Sequence, residues 1–267
     1  MYLAGVALSS TLFSASVLSA AVPPHDSKIT TVHRLAKRAN PTIGDGINKD
    51  DPNRGGKLFS PTGTSGALYE AFELIDYATK SRDNVVFAKY FNTGDKDVVM
   101  GVLDGLLGGA ITGAPELSQI TVIAGEDKSE NPAPAALEGF ADPDPNLILT
   151  EGAWVYPNRD DTTIGCEEWE KTGGMTQDMY LLASILVHEY THWDWFLKEI
   201  LELEGGIIDQ PNGYGWERAR ALDKSLAKYN ADSYGWYVTE NFWAIICHKN
   251  GGYDAPPDDD DGDDGDL

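Results

Sequence analysis

The chain has 267 residues, with 20 Lys and Arg against 43 Asp and Glu, and its formal net charge is −23. So acidic a surface repels DNA, RNA and anionic membranes, which argues against a protein that binds nucleic acid or a membrane surface. It attracts cationic partners such as basic polypeptides, with a strength that added salt reduces, and solubility alone is the alternative role of this charge.

Residues 1–21 have the features of a secretory signal peptide. Residues 3–18 are mostly apolar or small, and residues 19–21 (Ser-Ala-Ala) place small side chains where such a signal is cut. Serines interrupt the apolar run, which is also too short to span a bilayer. We therefore expect a secreted, extracellular protein without a transmembrane helix.

Residues 22–38 are interpreted as a short pro-segment. They end in Lys37-Arg38, and a dibasic pair soon after a signal peptide looks like the cutting site of kexin-type processing proteases. A solvated basic pair on the surface is the alternative. If the pair is cut, the mature chain begins at Ala39.

Charge and composition divide the remainder into a body and a tail. Residues 254–267 contain eight Asp and form a predicted disordered acidic tail, since such a segment cannot bury a core. Residues 1–38 carry +3 and the tail carries −8, which leaves −18 for residues 39–253. That body is long enough to bury one compact core, and we expect a single catalytic domain that acts as a monomer.

The first half of the body contains three predicted helices and two predicted strands. The helices are 66–81, in which apolar residues recur at three- and four-residue steps, 85–91, for which a turn is the alternative, and 97–107. The strands are short and rich in apolar and β-branched residues, and they are 118–124 and 146–156. Residues 126–146 contain four prolines and predict a surface loop between the two strands.

The chain has two cysteines, Cys166 and Cys247. An oxidising compartment favours their pairing, although two free buried thiols are the alternative. A disulfide would close a loop of about 80 residues and contribute about 4 kcal/mol on the chain-entropy model.

The sequence His188-Glu189-Tyr190-Thr191-His192 is an HExxH motif within residues 176–203, which lack Gly and Pro and predict one long buried helix. On a helix, positions i and i+4 share a face, so both imidazoles can bind one zinc ion. Glu189 lies about 100° around the same helix, where it can hold a water molecule. Two ordinary core histidines are the alternative.

Beyond the motif, Gly205-Gly206 permits the chain to turn back toward a metal bound there. Residues 216–229 and 231–246 are predicted helices. The aromatic residues of the second are expected to pack in the core.

Three pieces of the chain together resemble the fungal deuterolysin-like metallopeptidases, the aspzincins of peptidase family M35, and their lysine-specific relatives. They are the HEYTH motif, Asp209 followed by Tyr214-Gly215, which is similar to the family's D-x-x-Y-G, and residues 230–234 (Asn-Ala-Asp-Ser-Tyr), which match the family's N-A-D-[ST]-Y. The likeness covers residues 176–247. The chain departs from the family in lacking Gly-Thr before Asp209 and in having two extra residues before Tyr214.

The resemblance implies a zincin-like fold, α+β and mainly helical, with a small sheet packed on the HExxH helix. It also implies that one Zn²⁺ is bound by His188, His192 and Asp209, and that Tyr214 donates a hydrogen bond to the developing oxyanion. Glu189 would be the general base.

Two other carboxylates remain candidates for the third ligand. Asp232 is a rival third ligand, a partner of a ligand histidine, or a helix cap. Glu217 lies 25 residues past His192, as a gluzincin ligand would. A metzincin is excluded, because Trp195 and Lys198 occupy the glycine and third histidine positions of its longer motif.

These observations predict a secreted zinc metalloendopeptidase that hydrolyses peptide bonds in protein or peptide substrates, with a preference for basic ones. The alternative is a secreted, non-catalytic zinc-binding or host-interaction protein with a zincin fold. Retention of Glu189 favours the enzyme, since this residue is needed for catalysis and not for binding zinc.

Overall fold

The computed structural model describes residues 41–59, 65–81, 84–108, 117–126, 133–161, 165–172, 174–201 and 205–254. The predicted signal peptide and pro-segment lie outside the described residues, as does the acidic tail from residue 255 onward. Within the described ranges the fold is α+β and mainly helical, as predicted.

The helices are α1 (Gly55–Leu58), α2 (Ala67–Lys80), α3 (Asn84–Tyr90), α4 (Lys96–Leu106), α5 (Cys166–Thr172), α6 (Leu182–Thr191), α7 (Asp194–Leu201), α8 (Trp216–Ala221), α9 (Lys224–Ala227) and α10 (Ala231–Ile246). The strands are β1 (Thr42–Ile43), β2 (Thr121–Ala124), β3 (Ala135–Glu138) and β4 (Asn146–Leu149). None of the described helices is both long and apolar enough to cross a bilayer.

Four short strands form one mixed sheet in the order β1-β2-β4-β3. Strand β2 runs parallel to both β1 and β4, and β3 pairs with β4 in the antiparallel direction. Strand β3 therefore lies at an edge of the sheet, where it contacts α6, the helix that carries the HExxH motif. The predicted small sheet packed on the motif helix is confirmed.

The core is built around three helices that pack on one another, α2, α6 and α10. All ten residues of α6 are buried, which is the expected result for a helix that is apolar on nearly every side. Apolar residues of α2 at three- and four-residue steps, Leu68, Phe72 and Ile75, are likewise buried. The motif is thus held on a helix that is covered from several sides.

The prediction of one long helix over residues 176–203 is wrong, because the segment is divided near both ends of the motif helix. At the start, Leu181 is extended and its N–H donates to Ser184 Oγ. At the end, the Thr191 hydroxyl donates to the His188 carbonyl, and the His192 N–H turns to the Glu189 carbonyl. A side-chain hydroxyl that donates to a helix carbonyl competes with the backbone hydrogen bonds of the helix.

Several other element boundaries differ from the prediction. Strand 118–124 begins only at Thr121, and strand 146–156 ends at Leu149, where Thr150 caps a 3₁₀ turn. Helix 216–229 divides into α8 and α9, because Asp223 accepts a hydrogen bond from Ser225 N–H and starts a second helix.

Two strands lie where the sequence predicts none. Strand β3 lies within the predicted loop 126–146, and β1 has only two residues. Strands this short are formed by pairing with neighbours distant in the sequence and have little signal of their own. The predicted helix 231–246 is confirmed.

The predicted disulfide is also confirmed, since Cys166 and Cys247 are bonded. It joins the first residue of α5 to the residue that ends α10, across 81 positions of sequence. The cross-link ties the segment before the motif helix to the end of a core helix.

A buried ion cluster anchors the end of the described chain to α10. Glu240 is fully buried and accepts hydrogen bonds from Lys89 Nζ (2.8 Å), Arg220 Nη2 (2.6 Å) and Tyr253 N–H (2.9 Å). Lys89 and Arg220 also donate to the Tyr253 carbonyl, at 2.6 and 2.8 Å. Three elements, α3, α8 and the C-terminal segment, are thereby joined to α10.

We predict that Glu240→Ala lowers the free energy of unfolding by about 3–5 kcal/mol, because removal of one partner leaves buried charge uncompensated. Urea denaturation measures the change. The control is Glu168→Ala, since the Glu168–Lys171 pair is exposed (3.1 Å) and such pairs contribute less than about 1 kcal/mol. Equal, small losses in both variants would contradict a stabilising role for the cluster.

Candidate metal centre

Helix α6 brings the two motif histidines to one face. His188 and Glu189 are only 4% and 5% exposed, and the imidazole centroids of His188 and His192 are 5.0 Å apart. His192 ends the helix but keeps right-handed helical geometry (φ −75°, ψ −8°). Its side chain therefore stays in line with that of His188, one turn earlier.

The outer nitrogen of each imidazole is held by an acceptor, which determines the tautomer. His188 Nδ1 lies 2.8 Å from Asp232 Oδ1, and His192 Nδ1 lies 2.9 Å from the Ile207 carbonyl oxygen. A carboxylate and a carbonyl accept, so each Nδ1 carries the proton and donates. Both Nε2 atoms then face the cluster, and each is the nitrogen through which the neutral ring would bind a metal.

The two Nε2 atoms and one oxygen of Asp209 converge. The Nε2 atoms are 3.2 Å apart, and Asp209 Oδ1 lies 3.1 Å from His188 Nε2 and 3.5 Å from His192 Nε2. Ligands at about 2.0–2.2 Å from a tetrahedral zinc are about 3.3 Å from one another. The separations and the two-nitrogen, one-oxygen donor set therefore fit a zinc ion with a fourth position left open.

The charges around the cluster favour a cation at this point. Burial alone would lower the pKa of His188, but hydrogen bonds to Asp209 and Asp232 raise it to about 10. Burial would raise the pKa of Asp209, but its hydrogen bonds to His188 and His192 hold it well below the usual range. The two carboxylates thus favour a positive charge at this point, which is the extra proton of His188 without a metal and would be the metal ion once it displaces that proton.

Glu189 lies close to the converging atoms but is not one of them. Its Oε1 is 3.9 Å from His188 Nε2, and a ligand atom from each of His188, Glu189 and His192 falls within 4.8 Å of the others. Burial raises the pKa of Glu189, against the lowering effect of both imidazoles and of a hydrogen bond from the Leu137 backbone. A buried carboxylate with a raised pKa is suited to accept and release a proton.

Tyr214 reaches the same cluster from the segment after the glycine turn. Its ring centroid is 5.8 Å from that of His188, and the residue is 49% exposed. Burial of the hydroxyl, followed by the charges of Asp209 and Asp232, raises its pKa, so the phenol remains a hydrogen-bond donor. The five-residue step from Asp209 to Tyr214 is accommodated by a turn in which Gly213 N–H donates to the Gln210 carbonyl at 2.8 Å.

The two rival carboxylates lie elsewhere. Asp232 is 3% exposed and faces the outer nitrogen of His188, and its second oxygen accepts from Gly215 N–H. Glu217 is exposed on α8. The structure therefore places Asp209 among the converging atoms, Asp232 behind His188 and Glu217 at the surface.

Two main-chain groups contribute to the site without any sequence signal. The Ile207 carbonyl orients His192, and the Leu137 backbone of β3 bonds Glu189. Every residue has these groups, so only the path of the chain reveals which ones act here. For the Ile207 carbonyl, the one feature of the sequence that pointed to this segment is the glycine turn directly before it.

A cleft opens in front of the cluster. It has a volume of about 570 Å³ and is lined mainly by small and apolar residues of β3 and of the segment after α7, with Glu189, His192, Asp209 and Tyr214 at its floor. A smaller cavity of about 250 Å³ adjoins it, shares Glu189 and Tyr214, and reaches His188 and Asp232. The cluster is thus open to an incoming molecule.

No protein-family model and no curated protein matches this chain. Among solved structures it is similar to one described as a zinc peptidase from Grifola frondosa, with 15% sequence identity and a TM-score of 0.43. The similarity covers 81% of this chain and 96% of the other. A likeness this distant assigns no role to any residue, so the roles below rest on the geometry of the site.

We predict that carboxylate variants separate the three candidate ligands. Asp209→Asn should bind almost no zinc because it removes a converging oxygen, whereas Asp232→Asn should weaken binding about 10–100-fold because it only orients His188. Glu217→Gln is the control and should bind normally. Zinc content after dialysis and competition with a chelator measure the effect. Full zinc occupancy in Asp209→Asn would show that this residue is not a ligand.

Proposed function

We propose that the protein is a zinc metallopeptidase that uses Glu189 as general base. One observation carries the proposal: two imidazole nitrogens and an aspartate oxygen converge at 3.1–3.5 Å, with a buried carboxylate beside them that is not part of the set. A site that only stored zinc would not need that fourth, proton-accepting group.

The chain's own residues supply the remaining chemistry. Zinc held by His188, His192 and Asp209 would supply positive charge, which lowers the pKa of a nearby water molecule to about 7. Glu189 accepts a proton from the attacking water at a carboxylate oxygen and passes it to the leaving amine nitrogen. The Tyr214 hydroxyl, kept protonated by its raised pKa, donates to the oxygen of the scissile carbonyl as charge develops there.

The shape of the cleft supports a peptide substrate. Strand β3 is an edge strand of the sheet and lines the cleft together with Phe140 and Ile208, both about half exposed. An edge strand offers backbone groups with which an extended peptide can pair. The charge of −18 on residues 39–253 supports basic polypeptides as substrates, through long-range attraction.

We further propose that the protein is an aspzincin-like enzyme, secreted and processed after Arg38. The Cys166–Cys247 disulfide supports an oxidising compartment. The placement of Asp209 beside the two histidines supports an aspartate as the third ligand, which distinguishes aspzincins from zincins with a third histidine or a glutamate.

We predict that Glu189→Gln binds zinc like the wild type but hydrolyses casein about 10²–10⁴ times more slowly, because a general base contributes about that factor. Zinc content and initial rates are measured on the same preparations. Glu167→Gln, an exposed change on α5, is the control and should keep the full rate.

The same measurement tests the alternative of a non-catalytic zinc-binding protein. Wild-type protein that holds zinc yet cleaves neither casein nor histone would support that alternative. Wild-type rates in Glu189→Gln would remove Glu189 from the mechanism.

A separate prediction concerns processing. Active protein collected from a secreting host should begin at or near Ala39, because Lys37-Arg38 is the proposed cutting site. N-terminal sequencing identifies the first residue. Active material that begins at residue 21 or 22 would show that the dibasic pair is not cut, and protein retained inside the cell would contradict secretion.

A further inference from the structure

The segment that carries both Asp209 and Tyr214 is positioned by the residues that directly precede α10 and by the first turn of that helix. Between residues 208 and 215 the only regular pairing is an isolated parallel bridge between Ile208 and Asn230. Ile208 N–H donates to the Tyr229 carbonyl (3.0 Å), and the Ile208 carbonyl accepts from Ala231 N–H (3.1 Å). The start of the segment is thus fastened, and the turn that follows needs other partners.

Those partners are the oxygen and the nitrogen of the Asn230 side-chain amide. Asn230 is 1% exposed, and its Oδ1 accepts from Gln210 N–H at 3.1 Å. Its Nδ2 donates to the Gly213 carbonyl at 3.2 Å and to Ser233 Oγ at 2.9 Å. A single buried amide therefore bonds both ends of the turn from residue 210 to 213, while Ser233 helps to fix the orientation of the amide.

Gly213 packs so closely against this amide that there is no space for a side chain at position 213. A Cβ atom on Gly213 would lie 2.7 Å from Asn230 Oδ1, closer than side-chain atoms approach one another. The turn can thus pack flat against Asn230 only while residue 213 has no side chain. An alanine there would push the turn away from the amide, or the amide away from the turn.

The far end of the segment is held by a neighbour of Asn230. Asp232 accepts from Gly215 N–H with one oxygen and from His188 Nδ1 with the other. The first turn of α10 and the residue before it therefore bond the turn after Asp209, the residue after Tyr214, and one motif histidine. These contacts connect the converging atoms to a helix buried in the core.

We propose that Asn230 is a positioning residue for the metal-binding and oxyanion-binding groups, an inference that rests on the proposed function. By holding residues 210 and 213, it determines where Asp209 lies relative to the two Nε2 atoms and where Tyr214 lies relative to the cleft. Such groups must be held within about 0.5 Å of productive geometry, and a surface segment does not hold itself that closely. Asn230 itself touches neither zinc nor substrate.

The test compares Asn230→Ala with Asn241→Ala. The control residue lies within α10, is equally buried at 1% exposure, and donates through its side-chain amide to the Tyr237 carbonyl at 2.8 Å. Both variants lose hydrogen bonds made by a buried amide and should lose stability. Only Asn230→Ala should weaken zinc binding, by about 10–100-fold, as removal of a group that orients a ligand does.

Two further readouts distinguish positioning from a general loss of stability. In Asn230→Ala, hydrogen–deuterium exchange should accelerate across residues 210–215 and stay unchanged in α2. At saturating zinc, kcat should fall with KM little changed, because Tyr214 acts in the transition state. Equal effects of Asn230→Ala and Asn241→Ala on zinc affinity and on exchange in residues 210–215 would overturn the proposal.

Gly213→Ala keeps the proposal testable if Asn230→Ala does not fold. It disturbs the same contact from the turn, so it should reproduce the weaker zinc binding and the faster local exchange with Asn230 intact. The double variant should be less than additive, since both changes break one contact; strict additivity would overturn the proposal. Zinc affinity and exchange do not require peptidase activity, so a wild type that binds zinc without cleaving would refute the proposed function and leave this test intact.

Discussion

The hydrogen bond between His188 Nδ1 and Asp232 Oδ1 is the interaction on which the rest of the site depends. It crosses from α6 to α10 at 2.8 Å, between two residues that are almost fully buried. It directs the proton of His188 away from the cluster, so that Nε2 can bind a metal. The other oxygen of Asp232 bonds Gly215, which places Tyr214 near the same histidine. One carboxylate therefore connects both a motif histidine and the residue next to Tyr214 to the core.

Helix α10 explains why so polar an arrangement is compatible with a stable fold. Asp232, Glu240 and Asn241 lie among its buried residues, and each is hydrogen-bonded. Burial of such groups is costly unless they are paired. These hydrogen bonds join one part of α10 to the motif helix and another part to the C-terminal segment. A site whose side chains come from separate parts of the chain thus depends on one buried helix for their relative positions.

The sequence predicts what depends on local pattern and misses what depends on tertiary pairing. The motif, α10 and the disulfide are predictable, because periodicity, spacing and the number of cysteines are properties of the chain alone. Strand β3 is not, since its short sequence has little β preference and its pairing partner β4 decides its structure. At the break after the motif the Thr191 hydroxyl donates to the His188 carbonyl, a contact that no local pattern predicts. Asp209 could be proposed from the sequence, but its approach to both histidines depends on the fold.

The most direct test of the account is a crystal structure of the zinc-loaded protein with anomalous data collected on both sides of the zinc absorption edge. We expect a single strong peak about 2.0–2.2 Å from His188 Nε2, His192 Nε2 and one oxygen of Asp209. Glu189 should lie outside that distance and Asp232 should remain on His188 Nδ1. A peak coordinated by Asp232 or Glu217 in place of Asp209, or no peak near His188 and His192, would contradict it.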